Sequence, residues 1–200
     1  QTTDPTTLAV LDRENIHTDH YLALADAFRQ RGLPVVADLM VGLPGQTPGS
    51  FRADLQFLVD HELVSRIWPT QLLANAPMND PEYRTRHRVV ADDRGIVRST
   101  ATFDADEGAR MYALRAAYTA FEQYGILRHV LRFAQADHGV PAVEVLEGIV
   151  AAHQRHPERY PLLAWLLQHF HNLGVPPVGW RDVLEEAARF LVDEFGLPDD

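Results

Sequence analysis

Residues 38–51 read DLMVGLPGQTPGSF. Gly42 and Gly45 permit positive φ or close backbone approach, and Pro44 stiffens the turn between them. Thr47 is placed to cap a helix opening at Pro48, and the free N–H groups of that helix would point back toward the turn. Such a turn suits an anion or a polar ligand atom. It suits equally a tight strand-to-helix connection with no ligand, and the pattern leaves both readings open. The Gly-Lys-Ser/Thr ending of a phosphate loop is absent, as is the three-glycine dinucleotide fingerprint. Asp38 interrupts the apolar run LPVVADLMV, and counting by twos puts it on the face of Met40 and Gly42. A carboxylate there must be paired, hydrogen-bonded or protonated. It is either a structural group held by backbone N–H or an arginine, or a polar group deep in a ligand-bearing lumen.

Other chemistries find little support. Cysteine is absent, which removes disulfides, a thiol nucleophile and thiolate metal or iron–sulfur ligation by this chain. Of ten histidines, His153 and His156 stand three apart and His169 and His171 two apart. Neither pair has the spacing of a helical metal motif, so these read as surface or packing residues. No Gly-x-Ser-x-Gly elbow occurs. No acid–base pair can be singled out among 28 carboxylates.

The elements that must position the turn follow from periodicity. Short helices are predicted over 5–12, capped by Thr3 or Asp4, and over 18–30, where Tyr21, Leu22, Leu24, Ala25 and Phe28 share a face. Residues 33–41 read as a strand buried on both sides. Phe51, Leu55, Leu58 and Val59 form one face of the next helix. A second strand is predicted over 67–74, weakened at its start by Pro69. Helix, strand, helix, strand implies a right-handed parallel crossover, whose ligands gather beyond the carboxyl ends of the strands. The turn at 42–46 and the segment 75–81 both occupy that end. Residues 88–103 read as a loop or hairpin turning at ADDRGI, and helices follow over 104–125, 126–137, 141–155, 158–171 and 180–195. Phe170, Trp165, Trp180, Phe190 and Phe195 fit a helical core.

Composition sets the outer bounds. The chain has 200 residues, 46% of them hydrophobic, and a formal charge of -10. The apolar content suits a globular core, and the acidity counts against nucleic acid as a partner. The densest basic run, Arg84, Arg86, His87 and Arg88, reads as a solvated helix end. No apolar stretch has the roughly 20 residues of a membrane span, so no membrane partner is expected. QTTDPTTLAV lacks the features of a signal peptide and a starting Met, and it opens as if cut from a longer chain. A cytoplasmic location is expected.

These residues resemble a known family. DLMVGLPGQT looks like the fifth-strand segment of radical S-adenosylmethionine enzymes, where a strand runs into Gly-Leu/Phe-Pro-Gly-Glu/Gln-Thr and a helix. QTTDP resembles the end of the fourth strand, and QLLANAPMNDPEYR the sixth strand with its exit loop. The likeness is greatest to the branch that carries a cobalamin-binding domain, and it is fair over residues 1–130. It implies an α/β fold: part of a β/α (TIM-like) barrel over 1–103, then a helical region over 104–200. It implies S-adenosylmethionine as cofactor, with Gly42, Leu43 and Pro44 on the adenine side, Leu72 and Leu73 flanking the adenine, and Gln1 near the ribose or methionine end. Asp38 would support the site from within the lumen. Cobalamin is implied as a further cofactor. The family often has Glu where this chain has Gln46, which removes any charge-dependent role there.

The resemblance also implies a 4Fe–4S cluster, but its Cys-x-x-x-Cys-x-x-Cys loop is missing, and so is the Gly-Gly-Glu segment. The expected partner is therefore an absent N-terminal half of the same chain, bearing the cluster ligands. The whole enzyme would generate a 5′-deoxyadenosyl radical and act on an unknown substrate, and this segment alone is expected to be inactive. The alternative is a non-catalytic helical interaction domain with a small α/β unit. A barrel fragment should leave a strand edge open, whereas a self-contained module should cover its edges.

Overall fold

The structure, a computed structural model, describes residues 2–15, 18–33, 35–170 and 178–198. Gln1 and His171, both singled out above, lie outside the described residues. The chain divides into two compact units, Gln1–Arg115 and Ala116–Asp200.

The first unit begins with α1 (Pro5–Val10), where Asp4 Oδ2 accepts from Thr7 N at 2.8 Å and Pro5 takes the first turn. Then come α2 (Thr18–Gln30), β1 (Val36–Val41), α3 (Pro48–Asp60) and β2 (Val64–Pro69). Thr47 and Ser50 cap α3 reciprocally, each side chain accepting from the other's backbone N–H. The four residues assigned to one face of α3 (Phe51, Leu55, Leu58 and Val59) are all buried. β1 and β2 pair in parallel, as the crossover pattern predicts, with Val36 opposite Val64 and Val41 opposite Pro69.

Both strands are shorter than expected, for local reasons. Leu33 N closes back on Phe28 O at 3.0 Å to finish the helix, so β1 cannot start at Leu33. Pro69 closes β2 rather than opening it. The last rung to β1 is Thr70 N to Val41 O at 2.9 Å, after which the chain turns to a new partner. That partner is the hairpin of β3 (Val90–Ala91) and β4 (Val97–Ser99). Val97 N donates to Thr70 O at 3.0 Å and Leu72 N to Gly95 O at 2.8 Å. Between β2 and the hairpin run a short 3-10 turn (Pro77–Asn79) and α4 (Pro81–His87), which ends at Arg88 in the left-handed region. α5 (Ala105–Tyr118) follows, with Gly108 so close to β4 that a Cβ there would collide with Arg98 O.

One face of the parallel sheet is covered and the other is bare. Leu39, Val41, Ser65 and Ile67 are buried. Their alternates Val36, Asp38, Val64, Arg66 and Trp68 are exposed, and Met40 is half-buried. This departs from the expectation of strands buried on both sides. α2 departs too: of its apolar face only Ala25 is buried, while Leu24 and Phe28 are exposed.

In the second unit a π-helical turn (Thr119–Gln123) precedes α6 (Arg128–His138), α7 (Ala142–Arg155), α8 (Pro161–His169) and α9 (Trp180–Phe195). Phe121, Leu131, Leu146, Ile149, Leu163 and Phe190 are buried at its centre. α8 has no cap of its own. Glu186 of α9 supplies one, its Oε1 accepting from Leu162 N at 2.8 Å and Leu163 N at 2.9 Å. The fold is thus mixed α/β and mainly helical, with one parallel pair and one antiparallel hairpin among the described residues. No described helix is long and apolar enough to cross a membrane.

Candidate functional site

The exits of β1 and β2 lie side by side, because the register ends with Val41 opposite Pro69. At the β1 exit the turn 42–46 is completely buried. Its organiser is Gln46, whose Oε1 accepts from Gly42 N at 2.8 Å and Leu43 N at 3.3 Å while its Nε2 donates to Met40 O at 3.1 Å. An amide fits this role because it accepts and donates at once. Gly42 has φ +89, and a Cβ there would meet Tyr112 Oη at 2.8 Å. Gly45 has φ +92, and a Cβ there would press on Val10 of α1 at 3.0 Å. Both glycines are therefore accounted for by contacts within the chain. Thr102 Oγ1 ties the turn to the segment after β4, donating to Gln46 O at 2.7 Å.

At the β2 exit, Thr70 is buried and its Oγ1 has no hydrogen-bond partner among the described residues. Tyr112 of α5 roofs the same region and donates to Val97 O at 2.8 Å. Burial raises its phenol to about 12, against the lowering charges of Arg98 and Arg115. Arg115 donates from Nε to Ile67 O at 2.7 Å, using a carbonyl on the outer edge of β2. Burial lowers its guanidinium from the ordinary value, and Tyr112 partly offsets that. Leu72 is half-buried and Leu73 exposed in the exit loop.

The two edges of the sheet differ. Arg115 takes one carbonyl on the outer edge of β2, and the hairpin takes the residues just beyond that strand, Thr70 and Leu72. Neither outer edge has a strand partner among the described residues. The outer edge of β1 borders a cavity of about 270 Å³ lined in part by Thr2, Thr3, Tyr21, Ala37 and Phe57. Tyr21 Oη is buried there without a hydrogen-bond partner among the described residues, and burial, then the charge of Asp38, raises its pKa. Thr2 and Thr3 are clamped at one side of this gap by Asp54 of α3. Asp54 Oδ2 accepts from Thr2 Oγ1 at 2.7 Å, and its Oδ1 accepts from Thr3 N at 2.7 Å and Thr3 Oγ1 at 2.5 Å. Burial raises the Asp54 pKa despite these bonds, which lower it.

Asp38 shares its face with Met40, as counting by twos predicts. It is exposed rather than buried, and its partner is neither backbone nor arginine: Trp68 Nε1 donates to Asp38 Oδ1 at 2.9 Å. The structure thus brings Gly42, Leu43 and Pro44 beside the β2 exit and sets Asp38 on the bare sheet face. Tyr112, Trp68 and Arg115 were missed by sequence reasoning, since nothing in their spacing marks them. Asp54 had a signal: it lies three residues after Phe51 and four before Leu58, on the apolar face of its own helix.

No family model matches the chain. The chain is similar to the cobalamin-dependent radical SAM methyltransferase TokK of Streptomyces tokunonensis, with 35% identity over 85 residues. It is similar at 34% over 85 residues to the 2-(S-pantetheinyl)-carbapenam-3-carboxylate methyltransferase of Streptantibioticus cattleyicolor. In both comparisons the matched segment spans 41% of this chain and 12% of the relative, so the similarity reaches a small part of enzymes named for radical SAM or methyl-transfer chemistry.

Proposed function

We propose that this chain is the C-terminal portion of a radical SAM enzyme related to the cobalamin-dependent methyltransferases, and that it forms one side of the S-adenosylmethionine and substrate site. The observation that carries this reading is the uncovered face of the parallel pair. Among the described residues Val36, Asp38, Val64, Arg66 and Trp68 stand exposed on it, and β1 has no strand beside its outer edge. Parallel strands are ordinarily covered on both faces. In this reading further barrel strands line up beside β1, next to Thr2 and Thr3, and the face bearing Asp38, Met40 and Trp68 turns toward the lumen. The partner is the half of the same protein that carries those strands.

The residues fit the adenosine end of the cofactor better than the cluster. Leu72 and Leu73 are the accessible apolar groups at the β2 exit and would flank the adenine. Gly42, Leu43 and Pro44 are buried, so their part is to shape the exit of β1 beneath it. Asp38 and Gln1 complete the proposed set. The buried Thr70 hydroxyl is an orphan that a bound polar atom or water would satisfy. Bound S-adenosylmethionine supplies the radical chemistry of the family. A cluster to cleave it needs thiolates, and this chain has no cysteine, so no step is assigned to these residues beyond binding, orientation and exclusion of water. Cobalamin is proposed from the family resemblance and from the name of the Streptomyces tokunonensis relative.

The test compares this chain with a longer one that includes the upstream reading frame. The longer chain is expected to carry Cys-x-x-x-Cys-x-x-Cys and, once reconstituted and reduced, to form 5′-deoxyadenosine. The 200-residue chain is expected to form none. Formation of 5′-deoxyadenosine by the short chain, or an upstream frame without the three cysteines, would defeat the reading. The latter result would favour a non-catalytic interaction domain.

A further inference from the structure

We infer that the cavity at the exit of β2 binds the carboxylate group of a small-molecule ligand, with Arg94 and Arg98 as its cationic wall. The cavity has a volume of about 310 Å³ and is lined by Pro69, Gln71, Arg94, Ile96, Arg98 and Tyr112. It lies where the ligands of parallel α/β units collect, beyond the carboxyl end of a strand.

The Arg98 guanidinium is held in place. Arg98 donates from Nε to Asp92 Oδ2 at 3.1 Å and from Nη2 to the same oxygen. Its guanidinium also stands 5.4 Å from the centre of the Tyr112 ring. With both bonds directed to one oxygen, Arg98 Nη1 has no hydrogen-bond partner among the described residues. Arg94 is fixed through its backbone: its N donates to Asp92 Oδ1 at 3.0 Å, and its O accepts from Gln71 Nε2 at 2.8 Å. Its guanidinium comes only within 3.8 Å of Asp92 Oδ2, beyond hydrogen-bond reach.

The charge balance leaves room for an anion. Asp92 already accepts from Arg94 N, Ile96 N, Arg98 Nε and Arg98 Nη2. Two guanidiniums thus face one carboxylate whose lone pairs are committed, leaving one excess positive charge. A guanidinium fork matches the plane of a carboxylate and can bond it twice. Pro69, Ile96 and the Tyr112 ring offer apolar wall for the carbon skeleton behind such a group. This assignment does not depend on the S-adenosylmethionine reading.

The test uses the 200-residue chain with succinate as probe, sodium phosphate as a second anion and sodium chloride at matched ionic strength. Succinate should give saturable NMR shifts at Arg98 Nε–H, Gly95 N–H and the Gln71 side-chain amide, and chloride should not. Arg94→Gln should weaken succinate by about fivefold, as loss of one charge-assisted contact does. Arg98→Gln should weaken it at least as much; if that variant unfolds the hairpin, Arg94→Gln decides, because no hairpin bond uses its side chain. Absent or chloride-like shifts, saturation by phosphate alone, or undiminished affinity in Arg94→Gln would each overturn the assignment.

Discussion

Tyr112 fills the space that a side chain on residue 42 would need: a Cβ built on Gly42 lies 2.8 Å from Tyr112 Oη. The φ of +89 at Gly42 adds a second restriction, since L side chains rarely adopt it. Gly42→Ala is therefore expected to destabilise the chain by about 2–4 kcal/mol, from backbone strain and overpacking together. Tyr112→Phe removes the hydroxyl and should relieve the overpacking part alone. A double-mutant cycle by chemical denaturation checks this, and additive effects would show that the two residues do not compete for the space.

Gln46 has to accept two backbone N–H bonds and donate one in a fully buried position. Gln46→Ala leaves those groups unsatisfied and should cost about 2–4 kcal/mol. Gln46→Glu keeps the shape but can donate to Met40 O only when protonated, so the folded state raises its pKa. The variant should then be closest to the parent below the ordinary glutamate value of about 4.3 and lose stability relative to it as pH rises. Denaturant midpoints across pH measure this, and a pH-independent difference would refute it.

Asp54 titrates in the same sense. Burial holds its folded pKa above the ordinary 3.8, although Thr2 and Thr3 bond it. A carboxyl with a raised folded pKa favours the folded state most at low pH and loses that advantage as pH rises through the folded value. Asp54→Asn removes the ionisation but keeps one acceptor for the threonines. Relative to the variant, the parent should therefore lose stability as pH climbs above 3.8. Parallel unfolding curves at each pH test it, and an opposite slope would mean that the hydrogen bonds outweigh burial.

Ile67 and Trp68 are neighbours on opposite faces of β2, 3% and 49% exposed. In the 200-residue chain Ile67→Ala should cost about 2–5 kcal/mol, as for other buried aliphatics. Trp68→Ala should cost about 1 kcal/mol or less, despite the larger side chain, because its face is bare and its bond to Asp38 is exposed. Comparable losses at the two positions would mean that both faces are covered.

Much of the chain's organisation was legible in the residues. Apolar spacing placed α3 and its buried face, and Thr47-Pro48 placed its start. Gly42 and Gly45 marked the turn, and the order of elements implied the parallel pairing. These features are local: they follow from side-chain period, capping and backbone sterics within about a dozen residues. Other features needed the folded chain. Asp38 looked buried from its neighbours, but its exposure depends on what covers the sheet, which no neighbour encodes. Pro69 read as the start of a strand because the hairpin that captures Thr70 and Leu72 lies some 25 residues further on. The link between Gly42 and Tyr112 spans 70 positions, and Asp54 reaches back more than 50 to Thr2 and Thr3. Long-range contacts are decided by how elements pack, because a hydrogen bond or a close approach depends on distance in space, and periodicity carries no record of it.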